Sequence, residues 1–244
     1  MRSLLFVPGD ESATFAAAQT SADALIFDLT AASAQARLDQ VRQSLRDFIF
    51  SARRTKARPR LFVRINGLET GMAGLDLDAI MPAGPDGIVL PQSRSGADVQ
   101  HLGAKLAVCE AENGLPDGQC AILAMVTETA ASLFGLASYA GASQRLRGMA
   151  WSAQALTTSL GAQASRLADG AYAAPYQLAR TLTLVGARAA QVEPIDAPFT
   201  DLLDDAGLRA ECEAARRDGF AGKLAIHPAQ VPIINEIFGQ GPGL

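Results

Sequence analysis

Histidine is almost absent from this chain, and with only His101 and His227 among 244 residues no histidine-based metal cluster can be assembled. Cysteine is scarce too. Cys109, Cys120 and Cys212 are isolated, odd in number and without metal-type spacing, which reads as buried reduced thiols. Long hydrophobic runs are lacking. The apolar stretches over 4–7 and 25–27 fall far short of a membrane span, and no basic and apolar leader precedes Arg2, so the sequence predicts a cytosolic protein. Basic excess is lacking as well. A net charge of -4 gives no bias toward polyanions, which argues against a nucleic-acid partner. There is no Gly-x-Gly-x-x-Gly, no phosphate loop with Gly-Lys-Ser/Thr and no Gly-x-Ser-x-Gly elbow.

What the chain does have is apolar residues, at 49% enough to bury a core, in a length that suits one large domain over 1–244. Short apolar runs bounded by turn signals recur at 3–7, 24–29, 60–65, 87–90, 121–126, 146–151, 189–195 and 223–226. Each is continuous rather than alternating, as expected of strands buried on both faces of a parallel sheet. Between them, 14–21 is alanine-rich, 34–52 carries Leu38, Val41, Leu45, Phe48 and Ile49 at helical spacing, and 176–188 repeats small and apolar positions. Alternating strand and helix, eight times over, predicts an α/β fold, a (β/α)8 TIM barrel. Residues 113–119 and 163–175 read as loops, and 208–218, with Glu211, Glu213, Arg216 and Arg217, as a solvated helix face.

In such a barrel the active site sits at the C-terminal ends of the strands. The polar residues that follow each run are therefore the candidates: Asp10, Asp28, Arg64 with Asn66, Gln92, Glu128, Ser152 with Gln154, Asp196 and His227. Arg64 stands out, because a guanidinium at the end of an apolar strand projects into the mouth, where its planar fork can clamp a substrate carboxylate. The plain alternative is an Arg paired with Asp28 or Glu128 to neutralise buried charge. Asp28 has two readings as well, an acid-base group or a brace of the barrel. His101 falls in a helical stretch and is expected on the surface.

The order of several segments carries a resemblance. Arg2-Ser3-Leu4-Leu5-Phe6-Val7-Pro8-Gly9-Asp10, Ala22 to Leu29, Val63-Arg64-Ile65-Asn66, Gly87-Ile88-Val89-Leu90-Pro91, Thr127-Glu128-Thr129-Ala130, Trp151, and Lys223 to Gln230 follow one another as in the citrate lyase beta subunit-like branch of the HpcH/HpaI aldolase/citrate lyase family, which this chain resembles from residue 2 to about 238. The resemblance implies a carbon-carbon lyase or aldolase acting on a 3-hydroxy-3-carboxyacyl-CoA or a related oxoacid. It implies Arg64 and Asp28 as catalytic residues, and Arg64, Glu128, Pro8 and Gly9 as substrate-binding, with the loop of Pro8 and Gly9 a wall of the CoA site. It implies Mg²⁺ held by Glu128 and by an Asp that this chain replaces with Ala155. Gln154, Thr30, Ala31, Gln92 and Arg94 also depart from the family's pattern, so the metal site is expected to be weak or lost. A non-catalytic or repurposed barrel that binds acyl-CoA or dicarboxylate is the alternative. The resemblance further implies a homo-oligomer, and the chain is expected to lack the family's C-terminal extension; Phe48, Ile49 and Phe50 exceed what one buried helix stripe needs and are interface candidates on that ground.

Overall fold

The computed structural model describes residues 1–8, 20–31, 35–55 and 58–239. Eight parallel strands close into a barrel in chain order: β1 (Ser3–Pro8), β2 (Ala24–Asp28), β3 (Arg60–Arg64), β4 (Gly87–Leu90), β5 (Ala121–Met125), β6 (Leu146–Ala150), β7 (Glu193–Asp196) and β8 (Gly222–Ala225). Helices α1 (Gln35–Ala52), α2 (Ala73–Ile80) and α3 (Gly96–Glu112) follow β2, β3 and β4, a 3-10 segment (Ala131–Tyr139) follows β5, α4 (Ala153–Leu160) and α5 (Ala174–Ala189) both follow β6, and α6 (Asp205–Asp218) and α7 (Gln230–Gly239) follow β7 and β8. This is the (β/α)8 TIM barrel the apolar runs predict. The helix expected over 14–21 falls mostly outside the described residues.

One strand differs from expectation. Residues predicted to enter the seventh strand at 189 instead finish α5, and a tight turn with Gln191 at φ 57 precedes β7, which starts at Glu193. Continuous apolarity cannot separate the last turn of a helix from the strand behind it.

The two-residue period of the strands divides the core. Leu4, Ala24, Ile26, Phe62, Val89, Leu123, Met125, Ala150, Ile195 and Leu224 fill the barrel interior, while Leu5, Leu25, Phe27, Leu61, Val63 and Ile88 turn outward against the helices. Interior space is tight. A Cβ on Gly87 would lie 2.3 Å from the Phe62 ring, so glycine at the start of β4 is what admits the phenylalanine.

The same period places functional side chains. Phe6, Asp28 and Arg64 lie two residues beyond Leu4, Ile26 and Phe62, at the upper end of the inward-facing set. Register then aligns them, Asp28 beside Arg64 and beside Pro8 on the neighbouring strands. Asp196 and Lys223 fall on the opposite phase, paired in register on the outside of the barrel.

Candidate functional site at the barrel mouth

Arg64 crosses the mouth between two carboxylates. Its Nη1 donates to Asp28 Oδ2 at 3.1 Å and its Nη2 to Glu128 Oε1 at 2.9 Å, with the guanidinium carbon 5.8 Å from the centre of the Phe6 ring. Both readings of Arg64 therefore have a place. It is paired with Asp28 and with Glu128, and it also lines a chamber of about 490 Å³ at the top of the barrel. A guanidinium has five N–H donors. Two are used by these carboxylates, and Nε is buried without a protein partner.

Both described carboxylates at the mouth, Asp28 and Glu128, have a donor on each oxygen. Asp28 Oδ1 accepts from the Thr30 backbone N–H at 2.8 Å and from the Thr30 hydroxyl at 2.6 Å. Glu128 Oε2 accepts from the backbone N–H of Gln92 at 2.7 Å. Gln92 reaches that position in a left-handed conformation, φ 50, that a side chain other than glycine adopts at some cost. Burial of Glu128 pushes its carboxyl above the ordinary range, with Arg64 and the Gln92 N–H opposing and Asp28 reinforcing.

The wall facing these charges is uncharged. Ser152, Gln154, Ala155 and Thr158 line it, with Pro198, Leu224 and Ile226. Ser152 caps α4 by accepting from the Ala155 N–H, which fixes the first turn of that helix beside the chamber. Ser152, Gln154, Thr158, Pro198 and Ile226 also border a second chamber of about 620 Å³, whose far side is built by Arg166 and Tyr172. Arg166 lies 3.9 Å over the Tyr172 ring and is tied to Glu211 at 2.6 Å.

Several sequence candidates go elsewhere. Asp196 is not at the mouth: it is buried behind the barrel, where Lys223 Nζ donates to it at 2.8 Å, Trp151 Nε1 at 2.8 Å and Arg180 Nε at 3.3 Å. Its strand phase explains this, since Ile195 faces inward. Burial would raise the Asp196 carboxyl, but Lys223 and Arg180 overcome it and hold the group below its usual value. Asn66 turns to the buried Asp76 of α2, donating from its backbone and side chain at 2.7 and 2.9 Å. His101 and His227 are exposed, and Cys109, Cys120 and Cys212 are buried free thiols. Glu211 is not part of a solvated face, because Lys223 Nζ donates to it at 2.8 Å. Pro8 ends β1 next to Asp28 in register, while Gly9 and Asp10 lie outside the described residues.

Residues 2–228 match the family model described as HpcH/HpaI aldolase/citrate lyase. The chain belongs to this family. Among its relatives is a citrate lyase subunit beta of Leuconostoc mesenteroides subsp. cremoris, 33% identical over 97% of this chain and 76% of that protein. Another is a (3S)-malyl-CoA thioesterase of Cereibacter sphaeroides, 35% identical over 99% of this chain and 78% of the relative. Among solved structures, the protein CitE from Mycobacterium tuberculosis in complex with magnesium, acetoacetate and coenzyme A superposes with a TM-score of 0.80 at 31% identity, covering 99% of this chain and 82% of that one. Within the family the chain stands in the citrate lyase beta-like branch, and the family includes both lyases and thioesterases of acyl-CoA substrates.

Magnesium in those neighbours raises the question of its fit here. Ala155, which lines the same chamber as Glu128, offers no side-chain oxygen, and both oxygens of Glu128 and of Asp28 already accept hydrogen bonds. Among the described residues no group of three or more His, Cys, Asp or Glu is arranged to hold a metal ion. The donor set does not fit a dedicated two-carboxylate Mg²⁺ site.

Proposed function

We propose that this protein is a citrate lyase beta-like carbon-carbon lyase or aldolase whose substrate is a 3-hydroxy-3-carboxyacyl-CoA or a related oxoacid. The observation that carries the reading is Arg64, fixed between Asp28 and Glu128 with donors to spare toward a chamber at the barrel mouth. Cleavage of such a substrate needs its carboxylate anchored, its hydroxyl proton removed, and the carbon-carbon bonding pair accepted as the enolate of the departing thioester. The unused N–H donors of Arg64 supply the anchor through charge-assisted hydrogen bonds. Asp28, within contact of Arg64 and on the rim of the chamber, is the base that takes the proton. Glu128 and Phe6 hold Arg64 in place. The two adjoining chambers together have room for an acyl thioester rather than for a small oxoacid alone.

The uncharged wall of Ser152, Gln154, Ala155 and Thr158 favours the second reading, a repurposed barrel that binds acyl-CoA or dicarboxylate without cleaving it. One assay separates the two. Malyl-, citramalyl- and citryl-CoA are incubated with the protein while released oxoacid and free thiol are followed in parallel. Oxoacid without thiol is lyase chemistry, thiol alone is hydrolysis as in the thioesterase relatives, and calorimetric binding with neither product supports the repurposed barrel. Arg64→Ala should weaken oxoacid binding by about 1.5–3 kcal/mol for each strong hydrogen bond lost, roughly ten- to a hundredfold or more. Unchanged affinity would reject the anchor.

A further inference from the structure

We propose that the mouth selects an oxoacid unit bearing one carboxylate and an apolar substituent, so that an alkyl-substituted substrate of the citramalyl type is taken in preference to the citryl type, which carries a second carboxylate. The inference rests on the lyase reading for the place of the anchor and adds what surrounds it. The lining of the chamber divides by chemistry. Asp28, Arg64 and Glu128 form its charged side, and Arg64 is the one cation among the described residues that line it. One guanidinium against two carboxylates leaves that side negative before a ligand enters, so the spare N–H donors of Arg64 can clamp one substrate carboxylate but have no charge left to match a second. No other cation is at hand. Arg166, in the wall of the adjoining chamber, is already committed to Glu211 at 2.6 Å and to the Gly170 carbonyl at 2.9 Å. In the sequence, residues 9–19 after β1 and 32–34 after β2 contain no Lys or Arg, and the first of these stretches contains Asp10 and Glu11.

Beside the anchor the lining is apolar. The Arg64 guanidinium lies 5.8 Å from the centre of the Phe6 ring, and Phe6, Met125 and Leu224 carry the interior packing of the barrel up into the chamber. Val7, Ala155, Pro198 and Ile226 extend that surface. A group attached next to the anchored carboxylate therefore has hydrocarbon to pack against. A methyl or longer alkyl group gains by burial there, whereas a carboxylate in the same place gives up its water and faces Asp28 and Glu128 without a cation of its own. Ser152, Gln154 and Thr158 supply hydrogen bonds without charge, which suits a hydroxyl or a thioester carbonyl.

The test is calorimetric titration of the wild type with free 2-oxoacids, in one buffer with Mg²⁺ and in one with EDTA. Oxaloacetate and 4-methyl-2-oxopentanoate have nearly the same shape, a carboxylate in one standing where an isopropyl group stands in the other, so the pair isolates charge. The branched acid is expected to bind at least about tenfold tighter. For its additional buried methylene, 2-oxobutyrate should exceed pyruvate by roughly fourfold. Ala155→Lys, which sets a cation in the chamber lining, should narrow the first gap by at least about threefold. Oxaloacetate binding as tightly as the branched acid in either buffer would overturn the proposal. So would an Ala155→Lys protein, folded by circular dichroism, that leaves the gap unchanged; if that variant does not fold, the wild-type ranking decides by itself. The two failures stay apart: a reversed ranking sinks the selectivity and leaves Arg64 as the anchor, whereas no binding of any oxoacid in either buffer sinks the anchor and the selectivity with it.

Discussion

Lys223→Met tests how the scaffold behind the mouth is held. Lys223 is fully buried, with Nζ 2.8 Å from both Asp196 Oδ2 and Glu211 Oε1, and Asp196 is itself 1% exposed. Burial opposes the charge on Lys223, but the two carboxylates outweigh it and hold its ammonium above the usual lysine range. Methionine matches the length of the lysine stem and fills the same space, so the substitution removes charge and little else. Asp196 keeps Arg180 at 3.3 Å and the Trp151 N–H at 2.8 Å, and Glu211 keeps Arg166 at 2.6 Å. The loss should therefore lie at the lower end of the 3–5 kcal/mol typical of breaking a buried pair, about 3 kcal/mol. In a chain of this size that lowers Tm by roughly 6–12 °C.

Urea unfolding followed by far-ultraviolet circular dichroism and by Trp151 fluorescence measures the change, since Trp151 is the chain's single tryptophan and donates to Asp196. Asp196→Asn added to Lys223→Met removes the stranded charge and should recover more than about 1 kcal/mol. The pH dependence has a definite sign. In the wild type Asp196 is held low, so its contribution is present above the ordinary carboxylate pKa and is lost as pH falls through the folded value. Lys223 is held high, so its contribution is present below the ordinary lysine pKa and is lost as pH rises through the folded value. Stability from this pair is flat between about pH 4 and pH 10. In Lys223→Met the main force holding Asp196 down is gone and burial pushes its carboxyl up, so the deficit should shrink as pH drops from 8 toward 5. A loss under about 1 kcal/mol, or a double variant no more stable than the single one, would refute the reasoning.

The remaining predictions concern the mouth and the surface. Glu128→Gln should leave stability within about 1 kcal/mol at pH 7, because a carboxyl that burial pushes up gives back in desolvation much of what its ion pair supplies; oxoacid affinity by calorimetry should still fall. Gln92→Gly keeps the N–H that Glu128 accepts and removes the left-handed strain, so urea unfolding should show a stability equal to the wild type or up to about 1 kcal/mol higher. Ala155→Asp places a carboxylate in the first turn of α4, where the helix dipole favours it, in the lining of the chamber that Glu128 shares, and should tighten Mn²⁺ binding by about tenfold in a titration of the metal alone. Phe50 is 65% exposed beside the fully buried Ile49, and light scattering is expected to give a mass above the 25.5 kDa of one chain, reduced by Phe50→Ser if that face is an interface.

The barrel was legible because buried strands write themselves as short apolar runs, and seven of the eight were bounded to within about two residues. The eighth failed where, Gln191 apart, small and apolar residues run from the end of α5 through the turn to Val192, so that nothing in the pattern marks the start of β7 at Glu193. Arg64 was legible for a related reason: a charged residue closing such a run must face either the mouth or the helices, and counting by twos from Phe62 gives the mouth. The same count from Ile195 sends Asp196 outward, which shows that position at a strand end is a weaker signal than phase.

Side-chain partnership was harder to read, because it joins residues distant in sequence. Thr30 reads in the sequence only as a departure from the family's pattern, yet in the structure it is the brace of Asp28, and only the two-residue spacing that favours such local hydrogen bonds hints at it. Lys223 carried a plainer signal, a lysine inside an apolar strand, which implies a buried acidic partner without saying which one. The partners turned out to be Asp196, taken from the candidates for the mouth, and Glu211, taken from a supposedly solvated helix face. Both reassignments follow from one requirement, that a fully buried ammonium be neutralised. At the mouth the described carboxylate oxygens are donated to in the same way, Asp28 by Arg64 and Thr30 and Glu128 by Arg64 and the Gln92 N–H, so the rule that a buried charge finds a partner shapes both places.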